Sequence, residues 1–430
     1  MPSESRFSRR GLIAGGAAAF ASAAAGRAAE PAAKAAPRTI APSWPERRRK
    51  IERAWLDLLG DFPREVPPLA PVLRQVAVEE GITRYHVSFQ SEADDRVTAW
   101  LLVPAAARRV RTPAIVCIHS TTFGAGKDST IGLAGRRPQD PPRDPAIGVA
   151  SGREYARHGF VTLSLDLLTD GERIRPGDRV MDTRPFYLRH PEWSIVGKNT
   201  WDVMRCVDFL QTLDFVDAEQ IGCTGWSLGG HSAIFAAAFE PRIKAVLSNG
   251  GVLDWHRPTN SWARPDDLQN SPELERRFGF KPNSGPYIYI RKFRPWVADP
   301  AKPVPTDFDE LMMLVAPRAQ LIISSEWEFY SHKLMPKLLT AARVYSEWRD
   351  APGLPSVVDG RKRRRGYDDT LAYYEFNNRL AADRVERDLR QINAGDAFSW
   401  FSFPGGHAFP PAARLVAFGW FDRWLGRRPA

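Results

Sequence analysis

Ile221-Gly222-Cys223-Thr224-Gly225-Trp226-Ser227-Leu228-Gly229-Gly230-His231-Ser232-Ala233-Ile234-Phe235 is the stretch that decides the fold. Residues 221–224 are a short apolar run, as expected of a strand buried on both faces. Residues 231–239 are small and apolar and read as a helix. Between them, Gly225 to Gly229 fits the pattern G-x-S-x-G. By itself that pattern is weak, because glycine is common. Set between a strand and a helix, it reads as a nucleophile elbow, a sharp turn that holds a serine in a strained backbone region. Bulky side chains two places before or after the serine would collide across such a turn, so both places need glycine.

Outward from the elbow, strands and helices alternate. Residues 114–118 (AIVCI) and 160–165 (FVTLSL) are continuous apolar runs, with a helical stretch at 151–158 between them. Helices are expected at 200–214, 334–348 and 412–425, and strands at 243–247, 320–323 and 398–403. Pro410 and Pro411 mark the entry of the closing helix. Ahead of this block, 86–89 and 97–103 alternate in character around the polar stretch 91–95 and read as an antiparallel pair. Residues 46–60, with Ile51, Trp55, Leu58 and Leu59 at helical spacing, read as a packed helix. The expected fold is α/β: a mainly parallel central sheet with helices on both faces and antiparallel strands at its N-terminal edge. Two stretches interrupt the alternation, 250–310 and 351–395. Long inserts of this kind are usually functional, and both are expected to border the site.

The chemistry follows from the serine. A hydroxyl is a poor nucleophile until a base takes its proton. Of eight histidines, His407 alone follows the last strand and precedes the closing helix, in Gly405-Gly406-His407. The base in turn needs a carboxylate to fix its tautomer. The strand at 320–323 leads into Ser324-Ser325-Glu326-Trp327-Glu328, and its length favours Glu328. Glu326 and Asp254 are the alternatives. The order serine, acid, histidine is the one this fold predicts. An oxyanion hole needs two donors. One is expected from the backbone N–H of Leu228, the other from the loop after 114–118, with Thr121 first and Thr122 second. His119 and His231 flank these positions and read as structural. His119 has no second ligand at helical or turn spacing, and no metal or other cofactor is expected.

Composition narrows the class. Apolar residues make up 43% of the 430, enough for a sizeable core. The 14 tryptophans belong mostly in or beside that core, with an apolar or carbohydrate cleft as the other use. The formal charge of +10 is concentrated in the run 361–365 and at the N-terminus rather than spread in a stripe, and no zinc-finger or helix-turn-helix pattern occurs, so nucleic acid is not an expected partner. Three cysteines, Cys117, Cys206 and Cys223, do not make a disulfide framework. Residues 1–29 combine Ser8-Arg9-Arg10 with a short Ala/Gly-rich apolar stretch and read as a cleaved twin-arginine signal, so the expected location is periplasmic or secreted. Residues 30–45 read as an Ala/Pro-rich linker and 46–430 as the catalytic domain. No stable membrane insertion is expected after cleavage. The oligomeric state has no signature in the sequence.

The stretches HSTTFGAGKDSTIGLAG, REYARHGFVTLSLD, HPEWSIVGKNTWDVMRCVDFL, IGCTGWSLGGHSAIFAAAFEPRIKAV and FPGGHAFPPAAR resemble the acetyl xylan esterase and dienelactone hydrolase relatives of the α/β-hydrolase superfamily. The resemblance covers about 80–255 and 310–426. It implies metal-free ester hydrolysis by Ser227, His407 and an acid, with a small-molecule or carbohydrate ester as substrate. Two departures stand out. Glucuronoyl esterases resemble this group but carry an arginine directly after the serine, where this chain has Leu228. Dienelactone hydrolases proper use a cysteine where this chain has Ser227. A peptidase or amidase of the same fold, or a binding protein on an inactive hydrolase scaffold, are the other readings. Dehalogenases and epoxide hydrolases would need an aspartate at position 227.

Overall fold

The apolar runs of the sequence assemble side by side in the computed structural model, which describes residues 44–133, 150–252, 287–299, 301–325, 397–403, 406–426 and individual positions between 337 and 345. Its strands are β1 (Val72–Glu79), β2 (Ile82–Glu92), β3 (Asp95–Pro104), β4 (Thr112–Ile118), β5 (Val161–Leu165), β6 (Val216–Trp226), β7 (Ile243–Asn249), β8 (Ala319–Ser325) and β9 (Phe398–Phe403). They form one sheet in the order β1-β2-β3-β5-β4-β6-β7-β8-β9. β1, β2, β3 and β5 pair antiparallel; from β5 to β9 all pairings are parallel. The fold is therefore the expected mainly parallel sheet with an antiparallel N-terminal edge.

One strand at that edge is additional. β1 precedes the expected antiparallel pair, and its residues VLRQVAVE are mostly exposed, with a bulge between Gln75 and Ala77. Its lack of a clean inside-outside alternation explains why periodicity misses it.

The helices are α1 (Trp44–Leu59), α2 (Lys127–Thr130), α3 (Ser151–Arg157), α4 (Arg184–Arg189), α5 (Ile195–Gln211), α6 (Leu228–Phe239), α7 (Arg294–Ala298), α8 (Phe308–Val315) and α9 (Pro411–Trp424). Strand residues alternate between two cores, as the period of two requires. Val116, Cys223, Val246 and Ile322 face a core built with α1, α5, α6 and α8. Ile115, Cys117, Leu247 and Leu321 face a second core built with α9 and with Tyr155 of α3. α6 crosses the first core at its centre. Trp55 of α1 meets Phe235 of α6 edge-on with ring centroids 5.0 Å apart. Arg318 closes the far end of α6: its guanidinium donates to the carbonyls of Ala237 in the last turn, of Glu240 just past the helix and of Ile243, the first residue of β7.

The tryptophans serve mainly as core. Trp44, Trp55, Trp100, Trp193, Trp201, Trp226 and Trp420 are buried, and Trp296, Trp400 and Trp424 pack against the core at its edge. The three cysteines are free thiols and all buried. Among the described residues, no helix is long and apolar enough to cross a membrane.

Candidate active site

The sheet reverses its winding at β4. The chain passes from β4 to β5 on one side and later to β6 on the other. Such a reversal opens a crevice at the carboxyl ends of the two strands, where open α/β sheets bind their ligands. The loop after β4 and the turn after β6 lie at that crevice.

The turn after β6 holds Ser227, with φ 57° and ψ −116°, immediately before α6. A non-glycine residue at such a φ costs on the order of 1–3 kcal/mol. The strain persists because the surroundings fix it. The Ser227 N–H donates to the carbonyl of Asn249 at the end of β7, 2.9 Å away. A Cβ on Gly225 would run into the backbone of Gly229, and one on Gly229 into the carbonyl oxygen of Ile118 at the end of β4. Both glycines of G-x-S-x-G are therefore required by close approach. Ser227 is half-buried, and its helix presents a positive dipole end toward it.

The loop after β4 is braced from the loop after β5. The buried Asp170 carboxylate accepts from the Thr122 hydroxyl (2.7 Å), the Gly124 N–H (2.6 Å) and the Gly171 N–H (2.9 Å). Thr122 also accepts from the Gly126 N–H, so its side chain is committed to shaping the loop, while its neighbour Thr121 is half-buried. Phe123 follows at φ 52° with its ring exposed. His119 is buried; its Nδ1 faces the Ser120 carbonyl at 2.7 Å, and its Nε2 accepts from the Leu167 N–H at 3.0 Å. That pair of partners assigns a neutral Nδ1–H tautomer and leaves neither nitrogen for a metal.

Charge locks the loop after β5 in turn. Lys127 Nζ, buried, sits 2.6 Å from both Asp166 and Glu172. Burial alone would lower its pKa, but the Asp166 and Glu172 carboxylates outweigh burial and raise it. Deeper in, Lys198 of α5 is 2.6 Å from Asp202 and 2.8 Å from Asp95 and Glu92, and Arg173 pairs with Asp202 and Asp95. Burial opposes the charge on Asp95, yet Arg173 and Lys198 hold its carboxyl well below the usual range. For such buried ion pairs the cost of desolvation offsets much of the attraction, so they are weak evidence of added stability.

His407 is exposed, and its imidazole packs on Trp226, the residue before Ser227, with ring centroids 5.0 Å apart. Its neighbours Ala408 and Phe409 are buried in the second core. The Asn249 side chain donates to the Ala408 carbonyl at 2.9 Å. The three candidate acids, Glu328, Glu326 and Asp254, lie outside the described residues, as do the insert 351–395 and the basic run 361–365.

His231, one turn into α6, is buried, and burial pushes its pKa down to about 3. Its ring meets Tyr289 edge-on at 5.1 Å. Tyr289 belongs to the described end of the 250–310 insert. Residues 287–290 are held there by Thr183, Tyr187 and Asn199, so this part of the insert does reach the start of α6. Sequence reading missed Asp166, Asp170 and Asn249. Each stands at or just past the carboxyl end of a strand, the one signal that could have marked them.

Strand order, elbow and helical layers are together those of the α/β-hydrolase fold. Comparison with known proteins makes the likeness more particular. A family model described as "Glucuronyl esterase, fungi" matches residues 185–348. The chain is 27% identical over 194 residues to 4-O-methyl-glucuronoyl methylesterase 1 of Wolfiporia cocos, over 43% of this chain and 45% of that one, so it spans less than half the length of that relative. The glucuronoyl esterase structure from Solibacter usitatus superposes with a TM-score of 0.59 at 19% identity, covering 90% of this chain and 94% of that one. A protein from Bacteroides fragilis described as a candidate acetyl xylan esterase gives 0.52 at 18% identity, over 71% and 72%. At these identities the structural likeness is one of fold.

Proposed function

We propose that this protein is an exported serine carboxylic ester hydrolase that works through an acyl-enzyme on carbohydrate or plant-derived esters. The observation that carries the proposal is the strained Ser227 at the crevice between β4 and β6, with the His407 ring against its neighbour Trp226. Backbone strain of this kind is kept where a chemical task requires it.

In the proposed reaction His407 takes the Ser227 proton as Oγ attacks the ester carbonyl. The backbone N–H groups of Leu228 and Thr121 hold the oxyanion. His407 then gives the proton to the departing alcohol. Water, deprotonated by the same imidazole, releases the acid and restores Ser227. Glu328 is the first candidate to orient His407, ahead of Glu326 and Asp254.

The relatives' names point to esters of sugars. Position 228 is a leucine, and a buried one, so it presents no charge at the place where glucuronoyl esterases carry arginine. An acetylated or otherwise neutral sugar ester fits that environment better than one read through such an arginine. The twin-arginine signal at 1–29 supports action outside the cytoplasm.

The test is hydrolysis of 4-nitrophenyl acetate and butyrate by the mature protein beside Ser227→Ala, followed by acetylated and glucuronoyl sugar esters. Turnover that disappears in the variant supports the proposal. Equal inactivity of both proteins, with no fluorophosphonate labelling of Ser227, would overturn it.

A further inference from the structure

Asn249 touches both halves of the candidate site. It ends β7, the strand beside β6, and is itself buried. Its backbone carbonyl accepts the N–H of Ser227 at 2.9 Å. Its side-chain amide donates to the carbonyl of Ala408 at 2.9 Å, one residue past His407.

The two contacts differ in kind. The backbone contact is made whatever side chain stands at 249. The side-chain contact needs an N–H donor at one length. It reaches a loop that follows β9 and whose residues Ala408 and Phe409 are buried in the second core, while the His407 ring packs on Trp226. Apolar burial resists withdrawal of that loop but does not fix rotation of its backbone, because burial is not directional. A hydrogen bond from a rigid strand end does. Rotation about the Ala408 peptide would swing His407 on its exposed side and change its reach to Ser227. Misplacement by about 1 Å can cost about 100-fold in rate.

We propose that Asn249 is a positioning residue that sets the His407 loop relative to Ser227 through the Ala408 carbonyl. The role rests on the serine-hydrolase reading, in which His407 is the base. The Asn249 side chain touches no reacting atom, so its effect is expected in kcat rather than in KM.

Asn249→Leu removes the donor, keeps the approximate volume and leaves the backbone carbonyl on Ser227. The expected result with 4-nitrophenyl acetate is a fall in kcat of about 10- to 100-fold with KM within twofold, and fluorophosphonate labelling of Ser227 slowed by a similar factor. Hydrogen exchange at residues 406–409 should quicken at least about tenfold, while 221–226 in β6 stays as in wild type. Asn249→Asp, which keeps the shape but presents an acceptor when ionised, serves if the leucine variant does not fold. Unchanged exchange at 406–409, kcat within twofold of wild type, or a change confined to KM would each overturn the role. A wild-type protein that neither turns over ester nor labels at Ser227 would sink the hydrolase reading instead. In that case the exchange experiment still decides whether Asn249 holds the loop.

Discussion

The imidazole of His407 rests on the indole of Trp226 at a centroid distance of 5.0 Å and an interplanar angle of 33°. The x before the serine in G-x-S-x-G is thus a wall for the histidine. Trp226→Phe should keep an aromatic face there and retain kcat within about threefold. Trp226→Ala should lower kcat by about tenfold or more and cost on the order of 3–5 kcal/mol of stability, since the indole is buried. Steady-state kinetics and urea unfolding of both variants check this.

Ser227 stores strain that catalysis needs and folding does not. Ser227→Ala and Ser227→Gly should both lose ester turnover by about 10⁴-fold or more. Only the glycine variant relieves the positive φ. It should be more stable than the alanine variant by about 1 kcal/mol, read as a shift in the denaturation midpoint. Equal stabilities would mean that the turn relaxes in the alanine variant.

Asp170 holds the loop that is expected to supply the second oxyanion donor. Asp170→Asn replaces one acceptor oxygen with an amide facing the Thr122 hydroxyl or the Gly124 N–H. A displaced donor should reduce kcat by about 10- to 100-fold with little change in KM, a size in keeping with the loss of one oxyanion contact. Comparing kcat and KM in the variant distinguishes this from damage to substrate binding.

His231 should make the fold acid-sensitive. Its folded pKa is pushed down to about 3 by burial, below the unfolded value of about 6.5. The unfolded chain therefore binds its proton first. The stability contributed by keeping this ring neutral is complete above pH ~6.5 and is lost as pH falls from there toward about 3, at roughly 1.4 kcal/mol per pH unit. His231→Phe should flatten that part of the stability–pH curve. Denaturation midpoints from pH 7 to 4 for both proteins measure it. An unchanged slope in the variant would assign the acid sensitivity elsewhere.

Much of the fold was legible because buried parallel strands announce themselves. The expected 114–118 and 221–224 are cores of β4 and β6, 160–165 begins one residue before β5, and 398–403 matches β9 at both ends. β1 was not legible, since an exposed edge strand carries no inside-outside period. Ser227 was legible because a strained turn restricts its neighbours to glycine. The braces Asp170 and Asn249 were not. Their meaning comes from contacts across 46 and 159 residues of sequence, which no local pattern encodes.

Cys117, Cys206 and Cys223 are fully buried, and burial raises the pKa of each thiol above its ordinary value. In the native protein these sulfurs are shielded from alkylating reagents and oxidants, both by packing and by lack of thiolate. Cys117 lies on β4 and Cys223 on β6, the two strands that flank the crevice, so neither can react until the centre of the sheet opens. Their rate of modification by an aromatic disulfide is therefore a clock for global opening. It runs without any introduced label, because the three thiols belong to the protein itself.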